Sequence, residues 1–262
     1  MRPILPHAKL LALSATLTVN GQGDVAKHLL MKCFRVISSA PTKENISLVV
    51  LQRPPLSSKV SSKETYNFVL QPVLQSLKSK GQNFPLTIIY LSGTMDWMKN
   101  IILNNLAKDP HESPLKIVFA TIALSMGADL RHVLQVIHIG PPKNMEAYIQ
   151  QVGRAGRSGD ECIAVLYFNN SDLGRQGVSK SVGKYCRNDV MCRKNFINSY
   201  FGYDATDTGF ACKKCDVCNT DLKCSWQFKE PLMLDKKGVV RNAISMYVQT
   251  LKLTTITELH VE

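Results

Sequence analysis

The 262-residue sequence lacks any run of about 18 consecutive apolar residues, the length that a membrane-spanning helix needs. Its longest apolar stretches, such as 117–126, have the length of a buried strand or slightly more. Extended disorder is not expected either, because 45% of the residues are apolar and only 20% are charged. A chain of this length and composition can bury a substantial core in one or two domains.

Acidic residues are the scarcer of the two charge types. The sequence has 20 Asp and Glu against 32 Lys and Arg, which gives a formal net charge of +12. A positive excess of this size is compatible with a polyanionic partner such as nucleic acid. It is equally compatible with a protein that is merely basic.

Two motifs that handle nucleotide phosphates are also absent. No G-x-x-x-x-G-K-[ST] occurs in the 262 residues, and no D-E-x-H or D-E-x-D follows an apolar strand. These elements cradle the phosphates and hold Mg²⁺, and phosphoryl transfer depends on them for electrostatic stabilisation. We therefore expect that these residues do not hydrolyse ATP by themselves.

The cysteines are unevenly distributed. Six of the eight lie in one short region: Cys186, Cys192, Cys212, Cys215, Cys218 and Cys224. This clustering favours a metal site in a reducing compartment over a disulfide framework. A secreted protein is the alternative, because a basic residue precedes an early apolar run. Pro3, Pro6 and the lack of a small-residue cleavage site argue against a signal peptide.

The spacing of the cysteines indicates which of them bind a metal. Cys212, Cys215 and Cys218 share one tight loop, and Cys192 leads a helix with an apolar side. Four thiolates can close a tetrahedral structural Zn²⁺ site, with Cys186 or Cys224 as possible substitutes. An iron–sulfur cluster is the rival interpretation. Its common bacterial motif has a fourth Cys followed by Pro soon after the third, whereas here five residues separate Cys218 from Cys224, and Ser225 follows Cys224.

Short apolar segments alternate with segments of helical periodicity over residues 8–168. Predicted strands are 8–18, 46–52, 87–91, 116–121, 133–140 and 162–168, and predicted helices are 24–34, 66–77, 96–107 and one beginning at Asn144. This alternation predicts an α/β fold with a parallel sheet. After Ser171 the sequence becomes polar, helical and cysteine-rich, so we place a domain boundary near 170.

The segment NMEAYIQQVGRAGRSGD (144–160) carries the main functional signal. Gln150, Arg154 and Arg157 are spaced i, i+4 and i+7, so they share one face if the helix persists. Such a stripe suits a polyphosphate, since arginine offers fixed and always-charged donors to a transferred phosphoryl group. A solvated basic helix end is the alternative.

These segments together resemble the RecQ family of superfamily 2 DNA helicases over roughly residues 8–220. QQVGRAGRSG is similar to family motif VI, residues 119–138 to motif V, LALSATLT (11–18) to motif III, and TIIYLS (87–92) to motif IV. Residues 184–203 with CKKCDVC (212–218) resemble its zinc-binding segment. The sequence departs from the family between motifs IV and V, where one strand with a Tyr-His-Ala-Gly turn is missing.

The resemblance implies a RecA-like lobe followed by a small helical zinc-binding subdomain. The expected divisions are 1–40 (remnant of a first helicase lobe), 41–170 (C-terminal RecA-like lobe), 171–224 (zinc-binding subdomain) and 225–262 (helical tail). The implied activity is ATP-dependent 3′–5′ unwinding of DNA with ATP and Mg²⁺, on single-stranded or forked DNA, in the nucleus or cytoplasm. A non-catalytic nucleic-acid- or partner-binding remnant is the alternative.

The resemblance also implies roles for individual residues. Gln150, Arg154 and Arg157 would be catalytic and face the nucleotide, one arginine acting as the finger on the γ-phosphate. Gly127 and Asp129 would belong to the ATP-linked motif V loop, and Thr121 would contact DNA. Lys213, Lys214 and Arg193 surround the cysteines and could bind DNA phosphates, with a solvated basic face as the alternative. The zinc ligands would be Cys192, Cys212, Cys215 and Cys218.

Overall fold

The parallel α/β fold is confirmed in the computed structural model, which describes residues 9–54, 62–91, 116–120, 132–204 and 212–226. Within these ranges five strands form one wholly parallel sheet in the order β1-β5-β4-β2-β3. The strands are β1 (Ile46–Gln52), β2 (Thr87–Leu91), β3 (Ile117–Ala120), β4 (Gln135–Ile139) and β5 (Cys162–Phe168). Each lies inside a strand predicted from apolar runs.

Helices connect and flank these strands. They are α1 (Val19–His28), α2 (Ser62–Lys80), α3 (Met145–Val152), α4 (Asn170–Leu173), α5 (Lys180–Arg187), α6 (Arg193–Tyr200) and α7 (Thr220–Trp226), with a 3₁₀ turn at Gly81–Asn83. The predicted helices at 66–77 and from Asn144 are confirmed. The helix predicted at 96–107 lies outside the described residues.

Both faces of the sheet are covered, which explains why the strands read as continuous apolar runs. One face carries side chains such as Val50 and Leu166 and packs against α3, α5 and α6. The other carries Val49 and Val165 and packs against α2, with side chains of α7 at its margin. The helices that follow residue 170 therefore share a core with the sheet, and the domain boundary near 170 stays a prediction.

The strand predicted at 8–18 is not formed over the described residues 9–18. Leu11 and Leu13 are 80% and 85% exposed there. An apolar run becomes a strand only when a neighbouring strand accepts and donates its backbone hydrogen bonds, and the five described strands offer this run no such neighbour.

The helix predicted at 24–34 lies earlier, at Val19–His28. Thr18 is its N-cap, and the Thr18 hydroxyl oxygen accepts a hydrogen bond from the Gly21 amide at 3.2 Å. The helix ends before Leu30, whose φ of 52° is left-handed. Gly21 and Gly23 lower the intrinsic helix propensity of the first turns, which hid the true start from a sequence-based prediction.

Strands β2 and β3 are direct neighbours in the sheet, and the residues between them, 92–115, lie outside the described residues. The two strands pair in parallel, with Thr87 opposite Ile117 and Tyr90 opposite Ala120. β3 therefore lies at one edge of the described sheet and β1 at the other.

Candidate metal centre and arginine loop

The structure brings together the four cysteines predicted as metal ligands. The Sγ atoms of Cys192, Cys212, Cys215 and Cys218 all lie within 4.8 Å of one another. The Cys192 and Cys215 sulfurs are 3.9 Å apart, close to the separation of about 3.8 Å that Zn–S bonds of about 2.3 Å require in a tetrahedron. The donor set and its spacing thus fit a closed, structural Zn²⁺ site.

Cys186, the other described cysteine of that region, does not join the cluster. Cys186 is buried in the core shared by the sheet and α5, and this burial raises the pKa of its thiol to about 12. The Cys186 sulfur is excluded from the candidate ligands by position, because the clustered sulfurs belong to Cys192, Cys212, Cys215 and Cys218. The side chain of Cys224 lies outside the described residues.

The cysteine loop is attached to the edge of the sheet. Leu48 of β1 donates its amide to the Lys214 carbonyl at 2.9 Å, and the Asp216 amide donates to the Leu48 carbonyl at 3.0 Å. These two bonds form a parallel bridge between Leu48 and Cys215. Cys215, one of the predicted zinc ligands, is therefore fixed directly to the edge strand β1.

A buried ion pair braces the same loop from the helical side. Arg193 donates from Nε to Asp216 Oδ1 at 2.9 Å and from Nη2 to Oδ2 at 3.0 Å. The Arg193 guanidinium also lies over the ring of Tyr185, 5.2 Å from the ring centroid. Bidentate ion pairs of this kind are strong and directional. Arg193 therefore holds the cysteine loop against α5 and α6.

The assignment of Arg193 to DNA binding is therefore wrong. Arg193 is only 3% exposed and its donors are directed to Asp216 and the Tyr185 carbonyl. Asp216 is 23 residues away from Arg193 in sequence. The sequence alone therefore gave no sign that an acidic side chain neutralises the Arg193 charge. Lys213 is exposed, whereas Lys214 forms an ion pair with Glu161.

The arginine segment differs from the predicted helical stripe. Helix α3 ends at Val152 and Gly153 is its C-cap, so Arg154 and Arg157 lie on the loop that follows, residues 153–160, which we call the arginine loop. Gly156 in this loop has a φ of +62°, a conformation that glycine adopts without strain. Gln150 remains on the helix, so the three side chains do not share one helix face.

The two arginines have different surroundings. Arg154 is buried and Arg157 is exposed. Burial lowers the pKa of the Arg154 guanidinium, and both arginine charges act on Tyr90, whose pKa burial raises to about 12. Partial burial and the nearby Arg157 charge lower the pKa of Lys43, a residue that sequence reasoning did not nominate. The loop is thus a concentration of cationic groups.

Gln150 connects this region to the segment that resembles motif III. Its Nε2 donates to the Thr16 hydroxyl at 2.7 Å across 134 residues of sequence. Thr16 is almost fully buried. The Ser-Ala-Thr turn and the start of the arginine segment are therefore neighbours.

An aromatic column runs from β2 to the cysteine-bearing helices. The rings of Tyr90 and His138 stack at 5.0 Å, and His138, Tyr148, Tyr185 and Phe196 follow at centroid distances of 5.2–5.4 Å. The column joins the face near Arg154 to the helices near Cys192 through one continuous core. Successive members of the column are ten or more residues apart in sequence, so helical periodicity could not predict it.

Three predicted site residues, Thr121, Gly127 and Asp129, lie outside the described residues. In the part of the chain that the structure describes, no helix is long and apolar enough to cross a membrane.

Comparisons with known proteins agree with this arrangement. The family described as "Helicase conserved C-terminal domain" matches residues 60–159, and "RecQ zinc-binding" matches residues 170–219, which include all four clustered cysteines. ATP-dependent DNA helicase Q1 of Mus musculus is 30% identical over 250 residues, covering 83% of this chain and 37% of that protein. ATP-dependent DNA helicase RecQ of Haemophilus influenzae is 25% identical over 247 residues, covering 83% of this chain and 38% of that protein.

The chain spans less than half the length of these curated relatives. Among solved structures, S. cerevisiae Dbp5 bound to RNA and ADP BeF3 is similar over 66% of this chain and 48% of that chain, with 16% identity and a TM-score of 0.42. The helicase MrfA bound to DNA and AMPPNP is similar over 72% of this chain and 32% of that chain, with 16% identity and a TM-score of 0.40.

Proposed function

Because the chain belongs to the RecQ family of superfamily 2 helicases over its C-terminal lobe and zinc-binding segment, we propose that it supplies the arginine-bearing half of a nucleotide site. The whole motor would be an ATP-dependent 3′–5′ DNA helicase. Arg154 and Arg157 would contact the phosphates, and one of them would act as the arginine finger on the γ-phosphate. The P-loop and the Mg²⁺-holding carboxylate are not among these 262 residues and would have to come from outside them.

One observation carries this proposal: the hydrogen bond from Gln150 to Thr16. It joins two segments that are 134 residues apart, each of which resembles a nucleotide-linked helicase motif. Gln150 is four residues before Arg154, so this contact sets the Ser-Ala-Thr turn beside the arginine loop. A polyphosphate at this place would meet two arginines and Lys43, whose charges are otherwise mutually repulsive.

Nucleotide binding by the full chain tests the proposal. We expect Mg·ATP to bind weakly, and Arg157→Ala to weaken binding about tenfold, the size of effect for a lost charge-assisted hydrogen bond. Arg35→Ala is the matched control, because Arg35 is an exposed arginine outside the site. Isothermal titration calorimetry at low salt measures both. Equal affinities of Arg157→Ala and Arg35→Ala would remove the arginine loop from the nucleotide site.

A second candidate function is a non-catalytic nucleic-acid- or partner-binding remnant of such a helicase. The observation in its favour is the absence of G-x-x-x-x-G-K-[ST] from the 262 residues. It predicts that DNA binding persists while Mg·ATP binding and ATP hydrolysis are both undetectable. The same calorimetric titration, repeated with single-stranded DNA, separates the two functions.

The four-cysteine cluster would hold a structural Zn²⁺ in either case. All four positions around the metal would be occupied by thiolates, so the ion would hold the fold together and activate no water. Its contribution is to fix Cys215, and with it the bridge to Leu48, against the edge of the sheet.

A further inference from the structure

Backbone hydrogen bonds to helix α3 fix the start of the arginine loop, from the Arg154 amide to the Gln151 carbonyl at 3.2 Å and from the Ala155 amide to the Val152 carbonyl at 3.0 Å. The second half of the loop has fewer such bonds. The Gly156 amide donates to the Val133 carbonyl at 3.0 Å and the Gly159 amide to the Gly156 carbonyl at 3.3 Å. Arg157 lies between these anchor points and is exposed. Holding a long exposed side chain in one conformation costs conformational entropy, and a rigid backbone beneath it reduces what must be ordered when a phosphate binds.

Asn45, just before β1, closes the loop through its side-chain amide. Its Nδ2 donates to the Gly156 carbonyl at 3.0 Å and to the Asp160 carbonyl at 2.8 Å. One amide group therefore spans the segment that contains Arg157. The Asn45 backbone carbonyl is fixed as well, since it accepts from the Cys162 amide at 3.0 Å.

Gly156 is shaped to receive this amide. A Cβ atom at Gly156 would lie 2.4 Å from Asn45 Nδ2 and 2.6 Å from Cys162 Sγ. Glycine suits this position for two reasons: its φ is left-handed, and the Asn45 amide leaves no space for a Cβ atom. The two residues form a fitted pair across 111 residues of sequence.

The residues beside Asn45 are tied to the same loop and to the zinc-binding segment. Lys43 donates from Nζ to the Gly153 carbonyl at 3.3 Å, at the start of the arginine loop. The Lys43 carbonyl in turn accepts from Lys194 Nζ of α6 at 2.9 Å, and the Thr42 hydroxyl donates to Asn198 Oδ1 at 2.9 Å. Helix α6 therefore fixes the residues just before Asn45 in the chain.

We propose that Asn45 is a positioning residue, which acts through the Gly156 and Asp160 carbonyls to hold Arg157 in place for a polyphosphate. The polyphosphate part of this inference rests on the function proposed above. Asn45 itself touches no reacting group. Its side-chain amide has the donors that two facing carbonyls require, and an isosteric carboxylate would have none.

The contrast between Asn45→Asp and Asn45→Ala tests the donor role. Asp has the size of Asn but presents only acceptors to the two carbonyls, so we expect Asn45→Asp to disturb the loop more than Asn45→Ala does. If Asn45 only fills space, the order reverses, because Asp preserves the volume and Ala does not. Asn83→Ala and Asn83→Asp are the controls, since Asn83 is exposed in the 3₁₀ turn.

Two measurements on the full chain follow these variants. The first is the NMR resonance of the Arg157 Nε–Hε group without ligand, which we expect to move toward the value of a solvated arginine in Asn45→Ala and further in Asn45→Asp. The second is calorimetric affinity for inorganic triphosphate, which we expect to fall about tenfold in Asn45→Ala and more in Asn45→Asp. An unchanged Arg157 resonance in both variants overturns the proposal.

The two readouts separate this inference from the function on which it builds. If the unaltered chain binds no triphosphate, the proposed nucleotide site fails, while the Arg157 resonance still decides whether Asn45 positions that side chain. If triphosphate binds but the Asn45 variants bind it equally well, the inference fails alone. Zinc content and the amide spectrum of the sheet report folding, and Asn45→Ser, which keeps one donor, replaces any variant that does not fold.

Discussion

At the scale of single residues, His138 is held neutral by its surroundings. It is 1% exposed, it stacks on Tyr90, and its Nε2 donates to Gln151 Oε1 at 2.9 Å. Its Nδ1 has no hydrogen-bond partner among the described residues. Burial lowers the His138 pKa to about 4, against an ordinary value of 6.5, and the Gln151 hydrogen bond offsets only part of that shift.

This shift predicts a loss of stability in weak acid. The unfolded chain binds a proton near pH 6.5 and the folded chain only near pH 4, so the stability that neutral His138 provides is complete above pH 6.5. It is lost as the pH falls from 6.5 to 4, by up to about 3 kcal/mol. An NMR titration of the His138 ring should show no protonation at pH 5.5.

Gln151→Glu is the informative variant for His138. A carboxylate in place of the amide would favour the imidazolium, so we expect the His138 pKa to rise by one unit or more, roughly the effect of a close opposite charge. Gln150→Glu puts the same charge on the exposed neighbouring residue and serves as the control. A His138 pKa that rises equally in both variants would mean that the hydrogen bond has no special role.

Residue-level contacts were the part of the site that the sequence predicted least well. Arg193 looked like a surface cation because its partner Asp216 is 23 residues away. Asn45 was not nominated because its partners are 111 and 115 residues away. By contrast, Cys212, Cys215 and Cys218 were found because local spacing alone brings their thiols together.

At the scale of secondary-structure elements, strands were easier to predict than the boundaries of helices. Strands β1 to β5 are buried on both faces and read as apolar runs, which is a property of the sequence itself. The end of α3 depends on Gly153 and on the loop contacts of Gly156, which are tertiary. The prediction that Gln150, Arg154 and Arg157 share one helix face was therefore wrong, because the helix ends at Val152 and both arginines lie on the loop that follows.

The cysteine loop covers part of an exposed sheet edge. β1 is the edge strand, and the bridge between Leu48 and Cys215 occupies the middle of its outer side. Unpaired edge strands with apolar side chains pair readily with other chains. Metal binding at Cys192, Cys212, Cys215 and Cys218 would then also protect the protein from aggregation.

Cys215→Ser tests this coupling of metal and edge. Since structural zinc sites in small segments contribute about 10 kcal/mol or more to folding of the segment, we expect loss of the bound zinc, faster hydrogen exchange at the Leu48 amide and concentration-dependent light scattering. Elemental analysis and hydrogen-exchange mass spectrometry measure the first two. Cys33→Ser, a substitution of an exposed cysteine outside the cluster, is the control.

The outcome that contradicts this prediction is specific. A Cys215→Ser protein that keeps one zinc per chain would remove Cys215 from the ligand set. One that loses zinc but keeps Leu48 protected would show that Arg193 and Asp216 hold the loop without metal.

At the scale of the whole molecule, the sheet has one core on each face, and the zinc-binding helices lie on only one of them. Helices α5 and α6 share the core of α3, whereas α2 packs on the opposite face. Helix α2 thus lies on the opposite face of the sheet from the helices that carry Arg187 and Lys194. We call the face that packs against α5 and α6 the zinc side. Substitutions of cations on the zinc side can be compared with substitutions of cations on α2, on the other face of the same sheet.

We expect weak, sequence-independent binding of single-stranded DNA on the zinc side, through exposed cations such as Lys213 and Arg187. Lys214 would contribute less, because Glu161 already neutralises part of its charge. Phosphate contacts release counterions, so log affinity should fall with log salt by about 0.7 for each phosphate neutralised. Fluorescence anisotropy with a labelled oligonucleotide at several salt concentrations measures both affinity and slope.

The charge-reversed pair Lys213→Glu with Arg187→Glu should weaken DNA binding about tenfold at low salt and reduce the magnitude of the salt slope by about 1.4, the contribution of two phosphates. Lys78→Glu with Lys80→Glu at the end of α2 changes the net charge by the same amount on the other face. If binding is local to the zinc side, this control pair leaves the slope nearly unchanged. Equal losses in the two pairs would mean that DNA responds only to the net charge of +12, and the cations beside the cysteines would then be an ordinary solvated surface.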